Sequence, residues 1–506
     1  GSSRMKTKQV GWGAVISYIA IGFNILAGIL YTPWMIRTIG SSNYALYTLA
    51  LSVINLFLFD FGVGASISKF LTGFYARDEE DKISAFLGTV YKLYLGISVA
   101  IFIAFTIVYF NIENIYTKLT PSEIGIFKGL FIIVSVYSVL SFPFQPLNGI
   151  LMANERFIFL KSCNLLQKVL SVLLIIIFLS VNGNVFTLVL VNAFSSIVFI
   201  IVKLLYVHRN GVRVSFAKTN RNYTKEIFGC SIWMTIIQLS QRFIFNIAPT
   251  ILAAVLGSAE ITVFSLAATI EGYVFTFGDA FSGMFMPEIA RNYVDTNFIS
   301  KTDELMVRVG RISLYIIGLL VIGIICVGSS FVKNWMGEGY EKVYFCTVLL
   351  VLPSLFDVPL EIGRSAILFS DKWQALVYII MAVLNLSLSF PLSTTLGVYG
   401  TSLAVLIAYT VRTFGVVLVL KNKLGLHMKR YFKRTYVTWI IPAAITIVVG
   451  FWMEHTITAI GWRYLSVKIV CIVFVYAICL YLFSIKSTER KKVKNMLTRR
   501  MSGGLH

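Results

Sequence analysis

Charge is what this sequence has least of. Asp, Glu, Lys and Arg make up 13% of its 506 residues, roughly half the share found in soluble domains. The four histidines, His208, His427, His455 and His506, all lie outside the middle of the apolar runs, so a proton carried through an apolar interior has to use a carboxylate. The six cysteines, Cys163, Cys230, Cys326, Cys346, Cys471 and Cys479, form no CxxC pair and have no histidine cluster beside them. That spacing excludes a zinc ribbon and a secreted disulfide framework, and the thiols are expected to pack as small apolar groups. No metal or cofactor site is expected. Long polar connections are missing too. On the predicted outer side the longest is 111–123, too little chain for the carboxylate or arginine constellation of an integral membrane glycan polymerase or a lipid-linked glycosyltransferase. A soluble enzyme and a disordered chain are excluded on composition alone.

What is there is apolar. Hydrophobic residues reach 57% and the mean hydropathy is +0.81. Runs long enough to cross a hydrocarbon core, about 20 residues each, recur at 12–36, 43–70, 85–110, 124–151, 157–181 and 184–207. They resume at 226–256, 259–287, 308–332, 343–369, 373–392 and 397–420, then at 435–454 and 463–485. This predicts an all-α polytopic membrane protein with 14 transmembrane helices. The first run has no small-residue cleavage site and continues to Met35, so no signal peptide is expected, and Gly1–Arg4 ahead of Met5 reads as a cloning remnant.

The placement of charge orients the chain. Lys and Arg number 44 against 23 Asp and Glu, a net charge of +21. With the other basic residues inside a run counted to the adjoining loop, 35 of the 44 fall on the N-terminal segment, the even-numbered loops and the C-terminal tail, and 7 on the odd-numbered loops; Arg242 and Arg412 are counted to neither. A bias of this kind over short loops places both termini in the cytoplasm. The expected division is 1–11 as cytoplasmic N-terminus, 12–207 as N-lobe, 208–225 as basic linker and 226–420 as C-lobe. A basic loop at 421–434, a final helix pair at 435–485 and a basic tail at 486–506 complete it. The tail, with Lys486, Arg490, Lys491, Lys492 and Lys494, is expected to lie on membrane lipids and not on nucleic acid.

An internal repeat organises the two lobes. Ile39–Ser42 and Tyr47–Ala50 recur as Leu256–Ala259 and Phe264–Ala267, an offset of 217. Pro33 matches Pro249 and Pro143 matches Pro359, each offset by 216; Gly183 and Thr187 match Gly397 and Thr401, offset by 214. Six spans per copy is an even number, so the two six-helix lobes are like-oriented, related by an axis along the membrane normal. Such a pair suits alternating access, and the paired prolines are either kink points or static bends.

Ionisable residues inside spans are costly and are therefore functional candidates. They are Asp60, Arg242, Glu271, Asp279, Asp357, Glu361, Arg364 and Arg412. At about 1.5 Å per residue, Arg242 and Glu271 both lie near the midplane on consecutive spans. Arg242 is either an anion contact or a simple partner of Glu271. Asp357, Glu361 and Arg364 share a helix face at i, i+4, i+7 spacing, and Arg412 reaches a similar depth to Asp357. This group is either a structural ion-pair network or part of a coupling site. Asp60 precedes small residues, Gly62 and Gly64, and is either a functional group or an aspartate bonded to neighbouring backbone.

The Asp60–Gly62–Lys69 pattern, the Gly40 hairpin, the six-plus-six repeat and the two extra C-terminal spans resemble the Wzx-type polysaccharide flippases of the multidrug/oligosaccharidyl-lipid/polysaccharide exporter superfamily. Lys69 stands where many relatives have Arg, keeping a cation without the bidentate fork. The resemblance implies translocation of undecaprenyl-diphosphate-linked oligosaccharide, as for O-antigen in lipopolysaccharide or for capsule, across the bacterial inner membrane by a non-enzyme. It implies a cationic cavity with Arg242, Lys69, Arg37, Gln238, Gln241, Asn246 and Tyr273 as substrate contacts. Glu271, Asp279, Asp60, Asp357, Glu361, Arg364 and Arg412 remain for coupling or gating, with a proton or sodium ion as the coupling cation. A polysaccharide polymerase and a chain-length regulator are the expected protein partners of a monomer. Two relatives of the superfamily, a multidrug/cation antiporter and a lipid II flippase, are the alternatives.

Overall fold

The computed structural model describes residues 2–58, 63–211, 221–367 and 372–502, and every regular element among them is a helix. Eleven of these helices are long and apolar enough to cross a membrane. Apolar side chains point outward on them: Leu30 is 77% exposed, Phe110 76% and Val181 84%. Water would not tolerate such a surface, whereas hydrocarbon solvates it, and a helix satisfies its own backbone groups there. The chain is a multi-pass membrane protein.

The three expected spans outside the eleven are 43–70, 226–256 and 343–369, and each departs from a plain apolar helix. The first spans the undescribed residues 59–62, flanked by helices Ser41–Phe57 and Val63–Ala76. The second is one helix, Arg221–Val255, whose 35 residues suffice in length. Its Gln238, Ser240, Gln241, Arg242 and Asn246 make it too polar to pass as an apolar span. The third is broken into Lys342–Val351, Ser354–Asp357 and Glu361–Ala366, with Pro353 and Pro359 at the breaks, where a ring nitrogen has no proton to donate.

The described chain forms two compact units, the first being Gly1–Ala268 with Phe369–Ala408. In it the Arg221–Val255 helix packs on Lys372–Leu396 and on Ser41–Phe57, and Ser2–Ile39 packs on Phe157–Val181. Two glycine turns open repeat-equivalent helices, Gly40 at φ 92° and Gly257 at φ 140°, conformations that glycine alone adopts without strain. Just after them the repeat copies meet. Thr262 Oγ1 donates to the Ser41 carbonyl at 2.9 Å, and Ser265 Oγ donates to Thr48 Oγ1 at 3.0 Å. Thr48 and Ser265 are equivalent positions of the repeat. Close by, Glu123 forms a capping box with Thr120 and accepts a 2.8 Å bond from Ser42 Oγ. The 111–123 connection then caps the Arg221–Val255 helix: Thr117 Oγ1 bonds the Ala254 carbonyl at 3.1 Å and Lys118 N the Ala253 carbonyl at 3.2 Å. These are carbonyls of a last turn, which have no partner within their own helix.

The second unit is Thr269–Leu368 with Tyr409–His506. Its spine is the 39-residue helix Phe298–Met336, against which Thr438–Thr456 and Trp462–Cys479 pack. Ile322, Cys326, Ala443, Leu465 and Ile472 form a core between them. Close approach depends on small residues: a Cβ on Gly450 would lie 2.6 Å from Cys326 Sγ, and one on Gly318 2.7 Å from the Trp439 ring. Trp439 Nε1 donates to Tyr476 OH at 2.8 Å, and that hydroxyl donates to the Tyr315 carbonyl at 2.7 Å. Lys468, 1% exposed, donates to Glu454 Oε2 at 3.0 Å and to Ser330 Oγ at 3.2 Å. The cysteines Cys163, Cys326, Cys346 and Cys479 are buried thiols and Cys471 is half-buried; the Cys230 side chain lies outside those described.

The paired prolines behave alike within each pair. Pro33 and Pro249 sit inside the continuous helices Ser2–Ile39 and Arg221–Val255. Pro143 lies in a 3-10 turn, Phe142–Phe144, that interrupts the path from Pro121–Ser141 to Pro146–Ala153, and Pro359 likewise interrupts its own span.

Candidate functional site

In the second unit the broken span builds an ionic cluster. Pro359 lacks the N–H that would bond the carbonyl of Leu355, and Tyr436 OH takes that carbonyl instead at 2.6 Å. Two residues on, the N–H of Glu361 turns to the Val358 carbonyl and leaves the Asp357 carbonyl free of the helix pattern; Arg364 Nη2 donates to it at 2.8 Å. Arg364 also donates to Glu361 Oε2, and its Nη1 lies 4.0 Å from Asp357 Oδ1. Arg412, 2% exposed, donates to Asp357 Oδ2 and stacks over the Tyr409 ring at 4.1 Å, while Thr413 Oγ1 donates to Asp357 Oδ1 at 3.3 Å. Two arginines and two carboxylates thus meet where proline has opened the backbone. Burial of that many charges requires such mutual satisfaction.

Asp279 is exposed on the Ser258–Gly283 helix. Glu271 is buried at 5% exposure and Tyr273 is half-buried on the same helix. All three belong to the second unit.

The first unit holds the remaining candidates. Arg242 is half-buried, with its guanidinium 4.4 Å from the centroid of the Phe245 ring, itself 7% exposed. That contact fixes the plane of the guanidinium, whose donors lie along its edge. Gln238 is exposed and Gln241 half-buried. Asn246 lines a small cavity of about 200 Å³ with Asn55, Ser240 and Phe243. Arg37 is exposed in the last turn of Ser2–Ile39, its Nε donating to the Pro33 carbonyl at 3.2 Å. Asp60 lies outside the described residues, as does the side chain of Lys69.

Four polar features escaped the sequence reading. Asn55 is one. Lys203, 8% exposed, is another, with Nζ 3.0 Å from Asn148 Oδ1 and 3.4 Å from Asn164 Oδ1. Glu454 with Lys468 is the third and Glu123 with Ser42 the fourth. The capping-box spacing of Thr120 and Glu123 is a visible signal for the last; Lys203 and Lys468 are hidden by counting them with the loops, and Glu454 stands at the last position of its run.

The fold is that of known membrane transporters. The chain is similar to the lipid II flippase MurJ in an inward closed conformation, with a TM-score of 0.67 and 15% identity over 95% of this chain and 98% of that one. An inward-facing multidrug resistance MATE family transporter of the MOP superfamily matches with a TM-score of 0.63 and 14% identity, over 81% of this chain and 98% of that one. A MOP superfamily transporter from Pyrococcus furiosus matches with a TM-score of 0.60 and 14% identity, over 83% and 96%. No curated protein matches in sequence. The family model described as polysaccharide biosynthesis protein matches residues 10–275, more than half of the sequence, and the chain belongs to that family.

Proposed function

We propose that the protein is a flippase, not an enzyme, that moves undecaprenyl-diphosphate-linked oligosaccharide units from the cytoplasmic to the periplasmic leaflet of a bacterial inner membrane by alternating access. The observation that carries this reading is Arg242, a half-buried guanidinium on a polar face of an otherwise apolar helix, within a chain of the polysaccharide biosynthesis family. A diphosphate entering an apolar interior needs cations to replace its water, and a guanidinium offers paired donors in the right plane. Gln238, Gln241 and Asn246 lie on the same helix and supply amides for sugar hydroxyls. A match to the lipid II flippase over 95% of the chain, against 81% for the multidrug transporter, favours a lipid-linked cargo over a drug.

Outward movement of an anionic headgroup is helped by an inside-negative potential, about 2.3 kcal/mol per charge per 100 mV. A counter-moving proton or sodium ion adds to it, and the carboxylates Glu271, Asp279, Asp357 and Glu361 are the candidate carriers. Arg242→Ala is expected to abolish transport of lipid-linked oligosaccharide in reconstituted vesicles while Arg242→Lys retains part of it. Undiminished transport by Arg242→Ala overturns the assignment.

A further inference from the structure

The second unit carries a cavity of about 1000 Å³ between the Phe298–Met336 helix, the 429–438 segment and the start of the C-terminal tail. Seven of its 17 lining residues are cations and two are carboxylates. Arg308 is engaged by Glu288 at 2.6 Å, and Arg311 by Glu489 at 3.5 Å. Among the described residues, Lys429, Arg430, Lys433, Arg434 and Lys486 have no carboxylate within ion-pair distance. The cavity therefore keeps an uncompensated positive wall.

Its shape has a second cause. Two turns of π-helix, Lys433–Val437 and Leu480–Ser484, both contribute to the lining. A π turn widens a helix by one residue and is often found at functional sites. Here the two are tied to each other's surroundings by Ser484 Oγ, which donates to the Thr438 carbonyl at 2.6 Å. Arg311 is held in place by the Ser484 carbonyl at 3.0 Å and Tyr315 OH at 3.2 Å. Beside the cations the lining is apolar, with Val307, Ile312, Val437, Ile485 and Val493. Next to it Val437, Leu482 and Phe483 are 56%, 51% and 52% exposed, a surface that faces acyl chains.

We propose that this cavity binds the phosphate headgroup of an anionic phospholipid resident in the bilayer, with its acyl chains along the exposed apolar rim. The cavity belongs to the second unit and Arg242 to the first, and the proposal does not depend on the transport reading. Its lining has one aromatic ring, Tyr315, and no amide side chain. That is a poor receptor for an oligosaccharide and a sufficient one for a phosphate. Cations at a membrane surface attract anionic lipid by about five-fold in affinity for each charge.

The test uses the full-length protein in detergent, with native mass spectrometry counting retained phosphatidylglycerol against phosphatidylcholine. K429Q/K433Q/R434Q is compared with K491Q/K492Q/K494Q, which removes the same charge from the tail outside the cavity. The first variant is expected to lose about a hundredfold in phosphatidylglycerol affinity, and the second to bind within a few-fold of wild type. Equal losses in the two variants, or none in the first, overturn the site. Displacement of phosphatidylglycerol by equimolar undecaprenyl diphosphate in wild type but not in the first variant gives the cavity to the cargo and overturns the resident lipid. If the triple variant does not elute as a folded monodisperse protein, K433Q alone is expected to lose about five-fold, and an unchanged affinity there is equally fatal.

Discussion

Arg242 and Arg412 are both arginines set in helices of membrane-spanning length, one in each unit, and the chain treats them differently. Arg412 is 2% exposed, bonded to the Asp357 carboxylate and backed by the Tyr409 ring. Arg242 is half-buried and backed by Phe245. An aromatic face supports each guanidinium, but Arg412 is almost wholly closed over by protein, whereas Arg242 keeps part of its surface exposed. A charge sealed in this way is committed to holding its neighbours, because separating the pair would strand a carboxylate in low dielectric. One that keeps part of its surface open can exchange its partners for a ligand. Burial, more than residue type or depth, separates the two roles.

The comparison breaks first on stability. Arg412→Ala is expected to destabilise the protein by about 3 kcal/mol, since it leaves the half-buried Asp357 carboxylate with only the more distant Arg364 guanidinium. Arg242→Ala is expected to stay within about 1 kcal/mol of wild type. Chemical unfolding in detergent measures both, and equal losses would erase the distinction. Pairing Arg412→Met with Asp357→Leu should return most of the lost stability, as apolar replacement of a whole buried pair often does.

A smaller effect tests why the second cluster exists. Tyr436→Phe removes the donor to the Leu355 carbonyl that Pro359 orphans, and should cost about 1–3 kcal/mol. A neutral result would mean that the proline break needs no such partner. The smallest effect is expected in the first unit, at the contact between repeat copies. Thr48→Val should cost about 0.5–1.5 kcal/mol. Combined with Ser265→Ala, it should cost less than the sum of the two single changes, because both remove the bond between them, while the Thr48 hydroxyl also donates to the Ala45 carbonyl at 2.9 Å. Full additivity would show that the two hydroxyls do not act together.

Hydropathy made eleven plain spans legible, and the other three expected spans depart from a plain apolar helix in an instructive way. The polar residues of Arg221–Val255 and the prolines of 343–369 are what make those segments unlike lipid-facing helices, and they carry most of the candidate site. Spacing brought Asp357, Glu361 and Arg364 together on paper through one continuous helix face. In the molecule the helix is broken between the first two, and the contacts come from the carbonyls that the break releases. The partnership of Tyr436 with Leu355, 81 residues apart, has no local signature at all. Nor does that of Ser42 with Glu123, since the same carboxylate already has a complete local explanation in its capping box. Lys468 passes for a loop charge because a count of Lys and Arg by segment cannot see its carboxylate partner Glu454 on the preceding span.

The hydrogen bond between Thr48 and Ser265 has a consequence for which residues those positions tolerate. Because the two are equivalent members of duplicated sequence, each side chain faces the counterpart of itself, as at the centre of a self-complementary dimer. A position of that kind cannot be filled by a charge, which would confront its like, nor by a pure donor or a pure acceptor. It requires a group compatible with its own image, and a hydroxyl, donor and acceptor at once, is the smallest polar group that qualifies.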